Sequence, residues 1–172
     1  MVPSSEFDKE YAVIADANFS VLLGGFGATD VPTVELQIAA AQKHGLAVIP
    51  SYCKGDCVNI TTGGSDLWGF QVADEPRMPN FDELAPAVAA VKAQGKLAFV
   101  NLLPNYAGPS EFAAGTYGEY VSTFISKVKP NLVSVDHYPD FDPTPDHVRN
   151  NKTKQGYIDN LLVLRDLTLK AG

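Results

Sequence analysis

Residues 68–104 read WGFQVADEPRMPNFDELAPAVAAVKAQGKLAFVNLLP, and the fold follows from how this stretch divides. Residues 68–74 are a short apolar run stopped by two carboxylates and Pro76, and residues 97–104 are a second one, rich in Leu, Phe and Val and ended by Pro104. Between them Asn80 stands at a cap position with Glu83 three residues on, an apolar helical repeat follows, and Gly95 stops it. A buried strand, a helix and another buried strand in succession make a parallel crossover.

The same unit recurs on either side. Apolar runs with the length of buried strands occupy residues 19–25, 46–51 and 131–139. Helical patterns fill residues 6–17, 31–45, 116–130 and 156–172, the second with Pro32 near its start and Gly45 at its end. Alternation of this kind predicts one α/β domain over residues 1–172 with five parallel strands. Strand starts fall every 22 to 34 residues, which suits an open doubly wound sheet or a (β/α)8 TIM barrel. A full barrel needs about 250 residues, so a barrel built from this chain is an incomplete one. Residues 52–67, YCKGDCVNITTGGSDL, hold Gly, Thr, Ser and Asn where a crossover helix belongs, and they read as loop.

Composition narrows the partners. The chain has a formal net charge of -7, no local Lys/Arg cluster and a 45% hydrophobic content. A folded domain with a real core is expected, and both nucleic acid and an anionic membrane surface would repel it. No apolar run reaches the length of about 18 residues that a membrane span requires. The N-terminal MVPSSEFDKEY lacks the basic and apolar regions of a signal peptide. Cys53 and Cys57, with Gly55 between them, form a lone C-x3-C pair: a redox pair, a loop-closing disulfide or two free thiols, and too few ligands for a structural zinc site. Three N-x-S/T triplets begin at Asn18, Asn59 and Asn151. With a disulfide they point to an extracellular setting.

Reactive groups in α/β folds collect at the C-terminal ends of parallel strands. Those ends supply Gly24, Gly25 and Phe26; Ser51 and Tyr52; Asp74 and Glu75; Asn101, Asn105 and Tyr106; and Asp136, His137 and Tyr138. Strand alternation sorts them further. Asp74 shares a face with Phe70 and Val72, whereas Glu75 shares one with Gly69, Gln71 and Ala73, the small or polar set that suits a barrel interior. By the same parity Ser134, Asp136 and Tyr138 share the inward face of the last strand. Two inward carboxylates with Asn, His and Tyr beside them make an acid/base pair of the kind that cleaves glycosides. The plainer alternative has Asp74 or Glu75 capping a turn before Pro79 and Asp136 pairing with a lysine.

Other signals are weaker. GGFGATD (24–30) follows a strand and precedes a helix, but Asp30 stands where a dinucleotide-binding loop needs its third glycine and would repel a pyrophosphate. His137 has no second histidine at a strand end to share a metal with, since His44 lies late in a helix and His147 in a loop. Trp68, at the start of its strand, reads as core. Tyr106 and Tyr117 read as sugar-stacking surfaces or as core. No metal and no cofactor is expected, and a metal- or cofactor-dependent α/β enzyme is the third reading behind the two given below.

WGFQVADEP, LAFVNLLPNYAG and LVSVDHYP, in this order, resemble the clan A glycoside hydrolases, in particular agarase- and galactosidase-like (β/α)8 proteins with a D-E-P motif on strand four. The resemblance runs over roughly residues 8–171. It implies that Glu75 is the general acid/base and that His137 and Tyr138 position nucleophile and substrate. In that clan the nucleophile ends strand seven, and the five strands here correspond to strands two to six, so strands seven and eight are lacking. Asp136 would then be the second carboxylate, in an inverting scheme that requires about 6.5 to 9.5 Å between carboxyl groups. The expected function is hydrolysis of O-glycosidic bonds in a poly- or oligosaccharide, with catalytic Glu75 and Asp136 and with Asp74, Asn101, Asn105, Tyr106, His137 and Tyr138 around the substrate. The competing reading is a catalytically silent carbohydrate-binding or interaction protein, with self-association covering open barrel edges.

Overall fold

The computed structural model describes residues 4–24, 28–139 and 154–172. It is an α/β fold with five parallel strands in two sheets and six helices, and among the described residues no barrel closes. Strands β1 (Val21–Gly24) and β2 (Ala47–Pro50) pair in parallel with Val21 opposite Ala47 and Gly24 opposite Pro50. The second sheet has the order β3 (Gly69–Asp74), β4 (Leu97–Leu102), β5 (Ser134–Val135). Single parallel bridges, Val48 to Leu67 and Ser51 to Gln71, run from β2 and its end toward β3 and the residues before it. Each strand thus neighbours its successor in sequence. The fifth is shorter than its apolar run suggests: only two of residues 131–139 pair, through Asn101 opposite Ser134 and Leu102 opposite Val135.

The helices are α1 (Phe7–Asp16), α2 (Val31–Lys43), α3 (Phe81–Ala93), α4 (Pro109–Phe112), α5 (Tyr117–Val128) and α6 (Lys154–Ala171). Local chemistry explains their starts. Asp30 caps α2, its Oδ1 accepting the Thr33 N–H at 3.0 Å, and Thr116 caps α5 by accepting the Glu119 N–H at 3.1 Å. Immediately before α3 the Asn80 side chain accepts the Arg77 N–H at 3.1 Å and closes a 3-10 turn over Met78–Asn80 that leads into the helix. The short α4 left no helical period in the sequence and was not expected.

The chain divides into two compact units, one of residues 1–72 and 87–99, the other of residues 73–86 and 100–172. In the first, Val34, Ile38, Val48, Phe70, Val88 and Val91 are fully buried. Gly69 sits so close to the Leu97 backbone that any Cβ there would collide with its carbonyl. The expected loop 52–67 is a pair of 3-10 turns, Cys53–Asn59 and Gly64–Asp66. A disulfide joins Cys53 to Cys57, and both residues are buried. Backbone geometry shows why no helix forms here: Cys53, Lys54 and Gly55 all have positive φ (52°, 54° and 111°). Trp68 is 51% exposed, contrary to its reading as core, although its backbone is paired on both sides, its N–H donating to the Val48 carbonyl at 3.1 Å and its carbonyl accepting the Leu97 N–H at 2.9 Å.

The second unit is organised by aromatic rings. Phe81, Tyr120 and Phe124 are fully buried, with Tyr120 packed 5.4 Å from Phe81 and 5.1 Å from Phe112 between ring centroids. Phe124 meets Phe81 edge-on at 5.4 Å. Edge and offset contacts of this kind add stability beyond the area they bury. They fix α5 against the start of α3, and so against the loop that follows β3.

Candidate functional site

All eight residues expected at the site fall within the second unit. The site begins where β3 ends. Asp74 is its last strand residue, and Glu75 has φ 46°, a left-handed conformation unusual for a residue with a side chain. The Glu75 N–H donates to the Asn101 carbonyl at 2.7 Å, so the backbone stays tied to β4 while it turns. Pro76 is buried, and its carbonyl accepts the Tyr120 hydroxyl at 2.6 Å. Tyr120 also accepts the Leu103 N–H at 3.4 Å. One buried phenol on α5 therefore holds the ends of β3 and β4 together, and burial pushes its pKa up.

A chain of side-chain hydrogen bonds crosses the three strand ends. The Ser134 hydroxyl donates to Asn101 Oδ1 at 2.9 Å, and Asn101 Nδ2 donates to Asp74 Oδ1 at 3.2 Å. Alternation places Asp74 on the face of Phe70, yet its carboxylate reaches an amide on the less covered face of β4, where burial alternates with Ala98, Val100 and Leu102 inward. Parity alone therefore does not separate the two carboxylates at this strand end. The Asp136 N–H donates to the Leu102 carbonyl at 2.9 Å, extending the β5 ladder by one residue. The exposed Tyr138 hydroxyl lies 3.4 Å from Asp136 Oδ2 and donates to it.

The electrostatics centre on Glu75. Its carboxyl is pushed above the usual glutamate range, first by partial removal from water and then by the negative charges of Asp136, Asp74 and Glu111. The hydrogen bond to Asp136 and that residue's charge raise the Tyr138 phenol. Tyr106 is raised mainly by burial, with a hydrogen bond from the Tyr138 backbone opposing. Arg77, the nearest arginine in sequence, directs its guanidinium to the Ser110 carbonyl at 2.9 Å.

His137 lies between two tyrosines, its ring 5.0 Å from Tyr106 and 5.3 Å from Tyr157, both edge-on. Tyr157 belongs to α6, and α6 also engages Asn105. Asn160 is fully buried; its Oδ1 accepts the Asn105 N–H at 2.8 Å and its Nδ2 donates to the Tyr117 hydroxyl at 2.8 Å. Asn105 Nδ2 donates to the Gly156 carbonyl at 3.2 Å, so this amide group anchors α6, while its buried Oδ1 has no hydrogen-bond partner among the described residues. Tyr117, which the sequence left open between sugar surface and core, is half-buried with its ring 5.6 Å from that of Phe112, and partial burial pushes its phenol up to about 12.

Asp74, Glu75, Asn101, Asp136 and Tyr138 are thus joined by hydrogen bonds or by charge coupling, and Tyr106 and His137 by ring contact. Ser134 is on the face of Asp136 and Tyr138 to which strand parity assigns it, whereas Glu111, Tyr157 and Asn160 were not anticipated. Only Asn160 left a trace, sharing a helical face with Gly156 and Leu164 four residues to either side. Among the described residues no group of three His, Cys, Asp or Glu side chains is placed to hold a metal ion. His44 pairs with Asp8 at 2.8 Å, far along the chain from these residues. His147, Asn151 and the loop residues Gly25, Phe26 and Gly27 lie outside the described residues. Comparison with protein-family models, curated proteins and solved structures finds no match.

Proposed function

We propose that the chain is a glycoside hydrolase acting on O-glycosidic bonds of a poly- or oligosaccharide, with Glu75 as proton donor and Asp136 as the second carboxylate. The observation that carries this reading is Glu75 itself: a strand-end carboxyl in a left-handed conformation, its proton held more tightly by partial burial and by Asp136, Asp74 and Glu111. A general acid must keep its proton at working pH until the leaving oxygen takes it, and a raised pKa does that. Asp136 keeps one oxygen toward the Tyr138 hydroxyl, and Asn101 holds Asp74, so the flanking groups are oriented before substrate arrives. Tyr106 and His137 offer ring surfaces for sugar CH faces. The order of the strands, each beside its successor, supports the further reading that this is the wall of an incomplete (β/α)8 barrel.

The test is hydrolysis of a panel of aryl β-glycosides by the chain and by Glu75→Gln. Loss of about 100- to 10,000-fold in turnover is expected. The alkaline limb of the wild-type kcat/KM profile should lie above the usual glutamate range, since the acid form is lost only as pH rises through the raised pKa. Activity indifferent to the substitution removes Glu75 from the mechanism, and sugar binding without turnover favours a silent carbohydrate-binding protein.

A further inference from the structure

Three of the nine asparagines head N-x-S/T triplets, although Ser and Thr together make up 18 of 172 residues, so chance alone gives about one. Two of the three are described. Asn18 stands just beyond α1 with φ 62°, a conformation asparagine tolerates well, which accounts for the asparagine but places no demand on a hydroxyl at Ser20. Asn59 closes the first 3-10 turn, and Thr61 follows it. Asn18, Ser20, Asn59 and Thr61 are all exposed, and neither asparagine side chain hydrogen-bonds to a described residue. Independently, Cys53 and Cys57 are joined in a buried disulfide two residues before Asn59. Structural disulfides persist in oxidising compartments, and the eukaryotic secretory lumen is the one where this triplet is read.

We propose that Asn18 and Asn59 are N-glycosylation sites, modified in that lumen from a lipid-linked oligosaccharide pyrophosphate. The Asn Nδ2 attacks the anomeric carbon of the donor sugar. A carbon–nitrogen bond forms as the bond from that carbon to the pyrophosphate oxygen breaks, one Nδ2 proton passes to a base of the transferase, and the lipid pyrophosphate leaves. Ser20 and Thr61 supply the hydroxyl that the transferase recognises.

The full chain is directed into the secretory pathway of a eukaryotic host by an added leader, treated with a peptide N-glycosidase in heavy-oxygen water, and mapped by mass spectrometry. Each occupied asparagine is expected to return as labelled aspartate. Asn18→Gln and Asn59→Gln should each remove one glycan from the intact mass. Ser20→Ala and Thr61→Ala should do the same with the asparagine still in place, which a folding defect alone would not produce. Variants retained by the cell are read in the same way from the microsomal fraction. Unmodified asparagine at either position, in protein whose Cys53–Cys57 disulfide has formed and which has therefore been through the oxidising lumen, overturns the proposal for that position.

Discussion

The two compact units solve the same problem with different materials. The first buries strands made of Val, Ile, Leu and Phe, places a disulfide-closed turn where a crossover helix would stand, and keeps its ion pair between Asp8 and the side chains of Lys43 and His44 outside, at 2.8 Å each. The second buries aromatic rings together with hydrogen-bonded polar groups: the Tyr120 phenol and the Asn160 amide are both fully buried and both satisfied. Perturbed acidity follows the same division. Glu75, Tyr106, Tyr117, Tyr120 and Tyr138 all belong to the second unit, and Asp8 and Tyr11 are the counterparts in the first. In the second unit the buried, hydrogen-bonded Tyr120 and Asn160 lie behind an exposed edge that carries Glu75 and Tyr138, so perturbed groups there face solvent over a polar support.

The contrast is broken most directly at Asn160. Asn160→Leu keeps the volume but leaves the buried Asn105 N–H and Tyr117 hydroxyl without partners, and should cost about 3 kcal/mol in denaturant unfolding. A neutral result would mean that the second unit rests on its rings alone. Next in size is the disulfide of the first unit. Replacing Cys53 and Cys57 by serine opens a very short loop and should cost about 2 kcal/mol, since the entropy of closing even a small loop is appreciable. If it exceeds the effect at Asn160, the ranking of the two devices is reversed.

A smaller effect sharpens the comparison by its sign. Glu75 binds its proton more tightly in the folded chain than in the unfolded one, so its contribution to stability is present at low pH and lost as pH rises through its raised pKa. Glu75→Gln should therefore melt higher than wild type at pH 7, with the difference disappearing below the ordinary glutamate range. A substitution that lowers activity and raises Tm identifies a group retained for chemistry. Smallest is the surface pair of the first unit. The Lys43 and His44 hydrogen bonds hold the Asp8 carboxyl below its usual range, but solvent and salt screen an exposed pair, and Asp8→Ala should leave the thermal midpoint unchanged within error.

Strand and helix positions were legible because they depend on local pattern. The helix over Val31–Lys43 and the strand over Gly69–Asp74 carry their own periodicity and punctuation. The exposure of Trp68 was not legible, since being at the start of an apolar run says nothing about whether a neighbour covers the ring. The strand-end residues could be listed from topology, but their connections could not. Asn101 joining Asp74 to Ser134, Tyr120 reaching Pro76, and Asn160 reaching Asn105 link residues 27 to 55 positions apart, and nothing local encodes such pairings. Asn105 shows the cost of this: its place after β4 marked it for substrate, whereas its donors are occupied by its hold on α6.

The backbone at Glu75 carries a last implication, for how this chain would change over generations. A left-handed φ of 46° disfavours any residue with a Cβ by on the order of 1 to 2 kcal/mol relative to glycine. Glycine there would also remove a carboxylate that its neighbours repel. A lineage freed from the need for that carboxyl would gain stability at the first such replacement, so position 75 would be among the earliest to drift. Aligned relatives would then divide sharply, into those that retain glutamate and those that carry glycine.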